Sequence, residues 1–316
     1  MEAVHPYLDN TGRRDAWEGG VQMIPIATPR GEFKVWTKRV GNNPDVKVLL
    51  LHGGPGMTAE CFECFDSYFP ASGIEYYYYD QLGSFRSDNP EDPSLWEIDR
   101  FVDEVDQVAD ALGLDQSNFF LFGQSWGGVL CIEYALAHQG KLKGLIISNM
   151  MSSIPAYNAY ARDVLMPTMD QAALARVMEL EASGETETGE YDDLLMEIHY
   201  VHHVLCMPFD SWPEAVVRSM NHMNKDLYVT MQGPSELGAS GKLARWDRTA
   251  DLERITVPTL VLGGERDTMD PRFLEFMAEQ IPQGESYICS RAGHLGQYDD
   301  QEAYFRGLLG FLERNA

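Results

Sequence analysis

No stretch of this chain holds the roughly 18 consecutive apolar residues of a membrane-crossing helix. No membrane span is therefore expected. The first twenty residues, MEAVHPYLDNTGRRDAWEGG, lack the basic start and apolar core of a secretory leader. Positive charge is scarce: 24 Lys and Arg stand against 49 Asp and Glu, a net charge of −25. A nucleic-acid partner needs a basic footprint, so none is expected. Cysteine is scarce too, with five scattered residues, an odd number. Cys61-x-x-Cys64 is the only close pair, with no second pair or adjacent histidine to complete a zinc site. Free thiols suit a reducing cytoplasm.

What is present is an ordinary globular composition, 44% hydrophobic over 316 residues. That length suits one large domain, or a core carrying an insertion. Short apolar runs at 46–51, 74–79, 118–122, 142–148, 259–262 and 286–289 read as buried strands. Helical patterns lie between them. Phe101, Val105, Val108 and Leu112 mark one helix face, Asp103, Glu104, Asp106 and Asp110 fill the rest, and Gly113 stops the helix. Strands alternating with helices predict an α/β fold with a mainly parallel sheet. The rhythm breaks between Met150 and Arg245, where only helical patterns occur. Within that break, 181–193 (EASGETETGEYDD) reads as an exposed acidic loop. The chain divides into a core, 1–149 with 246–316, and a helical insertion, 150–245.

Gly123-Gln124-Ser125-Trp126-Gly127 carries the chemistry. An apolar strand precedes it and a helical stretch follows. A serine on such a sharp strand-to-helix turn stands exposed at a helix N-terminus, where developing negative charge is favoured. A serine nucleophile needs a base and a group to orient that base. Asp267 follows the strand Leu260-Val261-Leu262 and a Gly-rich turn, and His294 follows a later strand. Both lie at strand ends, in the order Ser, Asp, His. An oxyanion hole needs two backbone N–H groups aimed at one point. Trp126, next after the serine, is one candidate; Gly54 of His52-Gly53-Gly54-Pro55-Gly56 is the other. Gly53 lets the same loop approach a substrate.

Four of these strings, HGGPG at 52–56, GQSWGG at 123–128, GERD at 264–267 and AGH at 292–294, together resemble the proline iminopeptidases. Two more agree: DQLGSFRS at 80–87 and QGPSE at 232–236. The resemblance runs from about Val21 to Leu312. Leu82 stands where that family usually has arginine, Phe85 where it has glycine, and Gln232 where it has asparagine. Thr268 follows Asp267 where some relatives have glutamate. The resemblance implies an α/β-hydrolase core with an inserted helical cap, and a serine exopeptidase that releases N-terminal proline. Two other functions use the same residues: an amidase or esterase acting on small amides such as prolinamide, and a hydrolase fold kept only for binding.

The implied substrate is a small peptide or amino-acid amide with a free N-terminus. Its cationic amine needs a carboxylate near the site. Glu236, by position in the resemblance, and Glu197 are the expected partners. Glu197, His199, His202, His203 and Cys206 cluster in sequence, with His199 and His203 one helical turn apart. They lack the His-Glu-x-x-His order of a zinc helix, so no metal is expected. The serine chemistry needs no cofactor.

Overall fold

The computed structural model describes Tyr7 and residues 19–316. The reading of the N-terminus as no secretory leader falls almost wholly outside them. The strands are β1 (Val21–Thr28), β2 (Gly31–Val40), β3 (Lys47–Leu51), β4 (Glu75–Asp80), β5 (Phe119–Gln124), β6 (Gly144–Ser148), β7 (Thr259–Gly264) and β8 (Gly284–Cys289). They form one sheet in the order β1-β2-β4-β3-β5-β6-β7-β8. β1 and β2 pair antiparallel with each other, as do β2 and β4; the remaining pairs are parallel.

The parallel strands are apolar because both faces are covered. Leu49, Leu51, Tyr77, Tyr79, Leu121 and Ile147 belong to one core layer. Val48, Leu50, Tyr76, Tyr78, Phe120, Phe122 and Ile146 belong to the other. The first layer packs under helices α1 (Ile98–Leu112), α2 (Trp126–His138) and, further along the chain, α8 (Pro271–Gln280). On the second layer Phe65 meets Phe62, Phe69, Phe122 and Phe305 edge-on, with ring centroids 4.9–5.3 Å apart. Edge-to-face pairs of this kind add roughly 0.5–1.5 kcal/mol each beyond area burial.

The helix predicted at 101–112 is α1, closed by Gly113 at φ 66°. Glu104 corrects the expectation for its polar face. It is buried, salt-bridged to Arg100, and accepts from Tyr79 Oη and the Leu82 N–H. The β1–β2 hairpin was not among the expected strands. Its inner positions on β2 include Thr37 and Arg39, both buried, so the alternation is not apolar.

Between β6 and β7 the described residues form helices: α3 (Ile154–Tyr160), α4 (Gln171–Ser183), α5 (Gly189–Leu195), a wide π-type turn at Met196–Val204, α6 (Glu214–Asn221) and α7 (Lys225–Met231). A lone β-bridge from Ser153 to Asp247 closes the base of this excursion. The stretch 181–193 is less of a loop than expected. Gly184 at φ 75° ends α4, and the Thr188 hydroxyl accepts from the Tyr191 N–H to start α5. Tyr191 is buried there, so one face of the acidic run is core. After β8 come the short α9 (Gly296–Asp299) and α10 (Gln301–Arg314).

The chain leaves β3 toward β4 on one side, while β5 leads to β6, β7 and β8 on the other. Loops leaving the carboxyl ends of β3 and β5 therefore part company, and a crevice opens between them. Helix α2 lies unusually close to the sheet there. A Cβ on Gly127 would stand 2.2 Å from the Leu51 carbonyl oxygen, and one on Gly123 would stand 2.0 Å from the Gly127 carbonyl oxygen. Gly127→Ala should therefore destabilise the fold by roughly 1–3 kcal/mol, the usual cost of overpacking. Gly189→Ala is the control, since nothing lies within 4 Å of its Cβ position; it should stay within about 0.5 kcal/mol of the parent. Urea unfolding of both variants measures the difference.

Candidate active site

Ser125 sits between β5 and α2 with φ 55° and ψ −122°, a strained backbone for a non-glycine residue. Two contacts hold it there. Its N–H donates to the Ser148 carbonyl at 2.9 Å, and its own carbonyl accepts from the Gly128 N–H at 2.7 Å. A Cβ on Gly53 would meet Ser125 Cβ at 3.1 Å, so the loop after β3 presses directly on the serine. That loop is fixed from beneath. His52 Nε2 accepts from the Gln81 N–H at 3.1 Å, so its Nδ1 carries the proton and donates to the Gly53 carbonyl at 2.9 Å. Burial keeps the His52 imidazole below its ordinary pKa despite the Asp80 charge, in keeping with a neutral ring. Gln81 Nε2 donates back to the His52 carbonyl, and Gln81 Oε1 accepts from Trp126 Nε1 at 2.8 Å. Gln81 thus ties the Gly53–Gly54 loop to Trp126. This role follows from tertiary contact and had no local signal beyond the 80–87 string.

Asp267 and His294 meet at the ends of β7 and β8. His294 Nδ1 donates to Asp267 Oδ1 at 2.8 Å, which leaves Nε2 as the basic nitrogen. Asp267 is fully buried, and a buried carboxylate needs donors. It has them: Asn149 Nδ2 at 2.6 Å, the Met269 N–H at 3.2 Å and Thr268 Oγ1 at 3.2 Å. Asn149, at φ 52°, follows β6 and also reaches the Gly293 carbonyl. The sequence reading missed it, because nothing near Asn149 marks it as more than a strand end. The backbone of His294 is pinned twice. Gln124 Nε2 donates to its carbonyl at 2.8 Å, and its N–H donates to the His203 carbonyl at 2.8 Å. Leu295 repeats the second contact on Val204.

Ser125, His294, Gly53, Gly54 and Glu236 line one cavity of about 550 Å³, roofed by the helical segment. Glu236 Oε1 accepts from Tyr228 Oη at 2.6 Å. Its carbonyl accepts from Tyr157 Oη at 2.6 Å and His199 Nε2 at 3.0 Å. Burial and the Glu236 charge hold the Tyr228 hydroxyl well above its ordinary pKa, so it stays a donor. Glu197 is not brought to this place. Met196, Tyr200 and Val204, spaced at four, line the cavity; Glu197 is one position off that face and exposed. The expectation that it joins Glu236 is corrected accordingly. Among the described residues, no three His, Cys, Asp or Glu side chains gather as a metal-binding set. His199 is buried and held by the Glu236 carbonyl, with its pKa pushed down to about 3 by burial and by His203. His203 Nδ1 donates to the Arg266 carbonyl instead.

Residues 47–301 match the family described as the alpha/beta hydrolase fold. A proline iminopeptidase of Flavobacterium johnsoniae is 49% identical over 290 residues, covering 92% of this chain and 97% of that relative. One from Elizabethkingia meningoseptica is 48% identical over 293 residues, with the same coverage. The chain belongs to the proline iminopeptidase family of α/β-hydrolases. The crystal structure of a proline iminopeptidase from Mycobacterium smegmatis superposes with a TM-score of 0.82 at 26% identity, covering 94% of this chain and 98% of that one. The crystal structure of VinJ gives 0.87, also at 26% identity, covering 94% and 99%.

The departures from the family strings now have places. Leu82 is fully buried in the α1 layer, and Phe85 takes φ 25° and stacks on His222 of the helical segment at 3.7 Å between centroids. Thr268 bridges Asp267 and His294, its hydroxyl 3.1 Å from His294 Nδ1. Burial alone would lower the His294 pKa, but the Asp267 charge and hydrogen bond, with a further contribution from Glu236, raise it above 6.5. An NMR titration should find this imidazole protonating above the ordinary histidine range. Asp267→Asn should move that titration to lower pH, and Glu236→Gln should move it in the same direction by less.

Proposed function

We propose that this protein is a serine exopeptidase releasing N-terminal proline from small peptides. The observation that carries the reading is the shared cavity. A strained serine, a histidine oriented by a buried aspartate, and a tyrosine-held carboxylate all face one space of peptide size. Ser125 Oγ attacks the carbonyl of the first residue, and His294 Nε2 takes its proton. The tetrahedral oxyanion receives the Gly54 and Trp126 N–H groups; the latter is one of the unpaired donors at the start of α2. His294 returns the proton to the leaving amine, and water then hydrolyses the acyl-serine by the reverse proton path. Asp267 keeps the imidazole in the productive tautomer throughout.

Glu236 receives the cationic N-terminus and so sets the reaction at the first peptide bond. The segment 150–245 acts as the cap and the rest as the core, with Gly53 giving the substrate room beside Ser125. Cys61, Cys64, Cys131, Cys206 and Cys289 are all free thiols, which fits work in the cytoplasm.

Ser125→Ala should lower kcat for a proline anilide by roughly 10⁴–10⁶, and a fluorophosphonate should label Ser125 alone. Labelling elsewhere would sink the mechanism. Glu236→Gln should lower kcat/KM for amine-bearing substrates by roughly 30-fold to several thousand-fold, the loss when one member of a desolvated charge pair is removed. A neutral ester without the amine should be hydrolysed nearly as before. Equal losses on both would make Glu236 a structural residue.

A further inference from the structure

The cavity is lined by charges of both signs, and the peptidase reading uses only Glu236. Glu187, Asp192 and Glu236 line it together. Asp192 belongs beside Glu236: Tyr191 Oη and Ser235 Oγ both bond Glu181, drawing the stretch around Asp192 against residues 234–236. Asp192 and Glu236 also act together on the Tyr200 hydroxyl. The cavity also carries Lys225, the sole lysine or arginine among the described lining residues. Neighbouring Asn224 fixes its place over the core loops. The Asn224 N–H donates to the Gly56 carbonyl at 2.9 Å, and its side chain donates to the Gly83 carbonyl at 2.9 Å. Among the described residues Lys225 forms no ion pair, and it is exposed to the cavity mouth.

Lys225 and the group that holds Glu236 are neighbours along α7. Lys225 and Tyr228 both line the cavity from α7, and Tyr228 grips Glu236. Lys225 lies one turn earlier on that helix, about 4.5 Å of axial rise. Two residues of extended peptide span at most about 7 Å. Trp212, Val216, Met220 and Met223 give the same cavity an apolar wall. Methionines adapt to side chains of varied shape.

Resting on the peptidase reading, we propose that Lys225 is a specificity-determining residue that receives the free C-terminal carboxylate of a dipeptide. The preferred substrate class is then proline followed by one apolar residue with an unblocked C-terminus. In a longer peptide the carboxylate lies beyond the lysine, and the contact is lost.

Steady-state kcat/KM for Pro-Phe, Pro-Phe amide and proline 4-nitroanilide tests this. The parent enzyme should favour the free acid over the amide by roughly five- to tenfold at low salt, the scale of a solvent-accessible, charge-assisted hydrogen bond. The advantage should shrink as salt screens the pair. Lys225→Met should bring the acid-to-amide ratio to about one, and Lys225→Arg should keep most of the preference. A ratio near one in the parent, or an undiminished ratio in the Met variant, overturns the role of Lys225. The anilide separates that failure from a deeper one. If it is cleaved while acid and amide are equal, only the lysine assignment falls; if it is not cleaved, the peptidase reading falls and takes this inference with it.

Discussion

The close seating of helix α2 on strands β3 and β5 is the constraint on which the site depends. Only two missing side chains, at Gly123 and Gly127, permit that approach. The approach in turn forces the left-handed turn at Ser125 and brings Gly53 against the serine. Strain of this kind persists only where the surroundings over-determine it. Here the surroundings are an eight-stranded sheet with helices on both faces, α10 lying among the aromatic rings of one of them. The large apolar core therefore serves a local purpose: it holds a serine in a conformation the serine would not choose.

Charge is handled by the same logic of full satisfaction. Asp267 is buried but has three protein donors besides His294. Glu104 is buried against Arg100, Tyr79 and the Leu82 N–H. Glu60, only 2% exposed at its side chain, is held by Arg86 and Arg218 at 3.3 Å each and by His222 at 2.8 Å. The last set joins a core loop to helix α6, and the Phe85–His222 stack lies beside it. Removing one partner from any of these sets leaves a buried charge less fully compensated, which costs more than the lost contact contributes in the intact set.

The core strands and the turn at Ser125 were legible because their signals are local. Buried parallel strands are continuous apolar runs, and a Gly-x-Ser-x-Gly turn needs its glycines within five residues. The groups that hold Asp267, His294 and the Gly53–Gly54 loop in place are less legible. Asn149, Gln81 and Gln124 act through contacts between distant segments, and each is an ordinary polar residue in its own neighbourhood. The β1–β2 hairpin hid behind polar inner residues. Glu197 was misplaced because a helical position gives a residue's neighbours but not its face, and one step around the wide turn at 196–204 is enough to leave the cavity. The acidic run 181–193 concealed a helix end and a helix start, since composition speaks for exposure and not for caps.

The backbone contacts from His203 and Val204 to His294 and Leu295 bear on how such enzymes diversify. A helical roof joined to its base only by side chains could be exchanged between relatives as a module, carrying its specificity with it. In this chain the roof shares main-chain hydrogen bonds with the histidine loop, so a transplanted segment must reproduce a backbone path as well as a pocket lining. Variation in substrate choice then has an easier route through single side chains on α6 and α7, whose replacement leaves the shared backbone alone. Lineages descended from such a fold would be expected to retune the wall of the cavity many times before replacing its architecture.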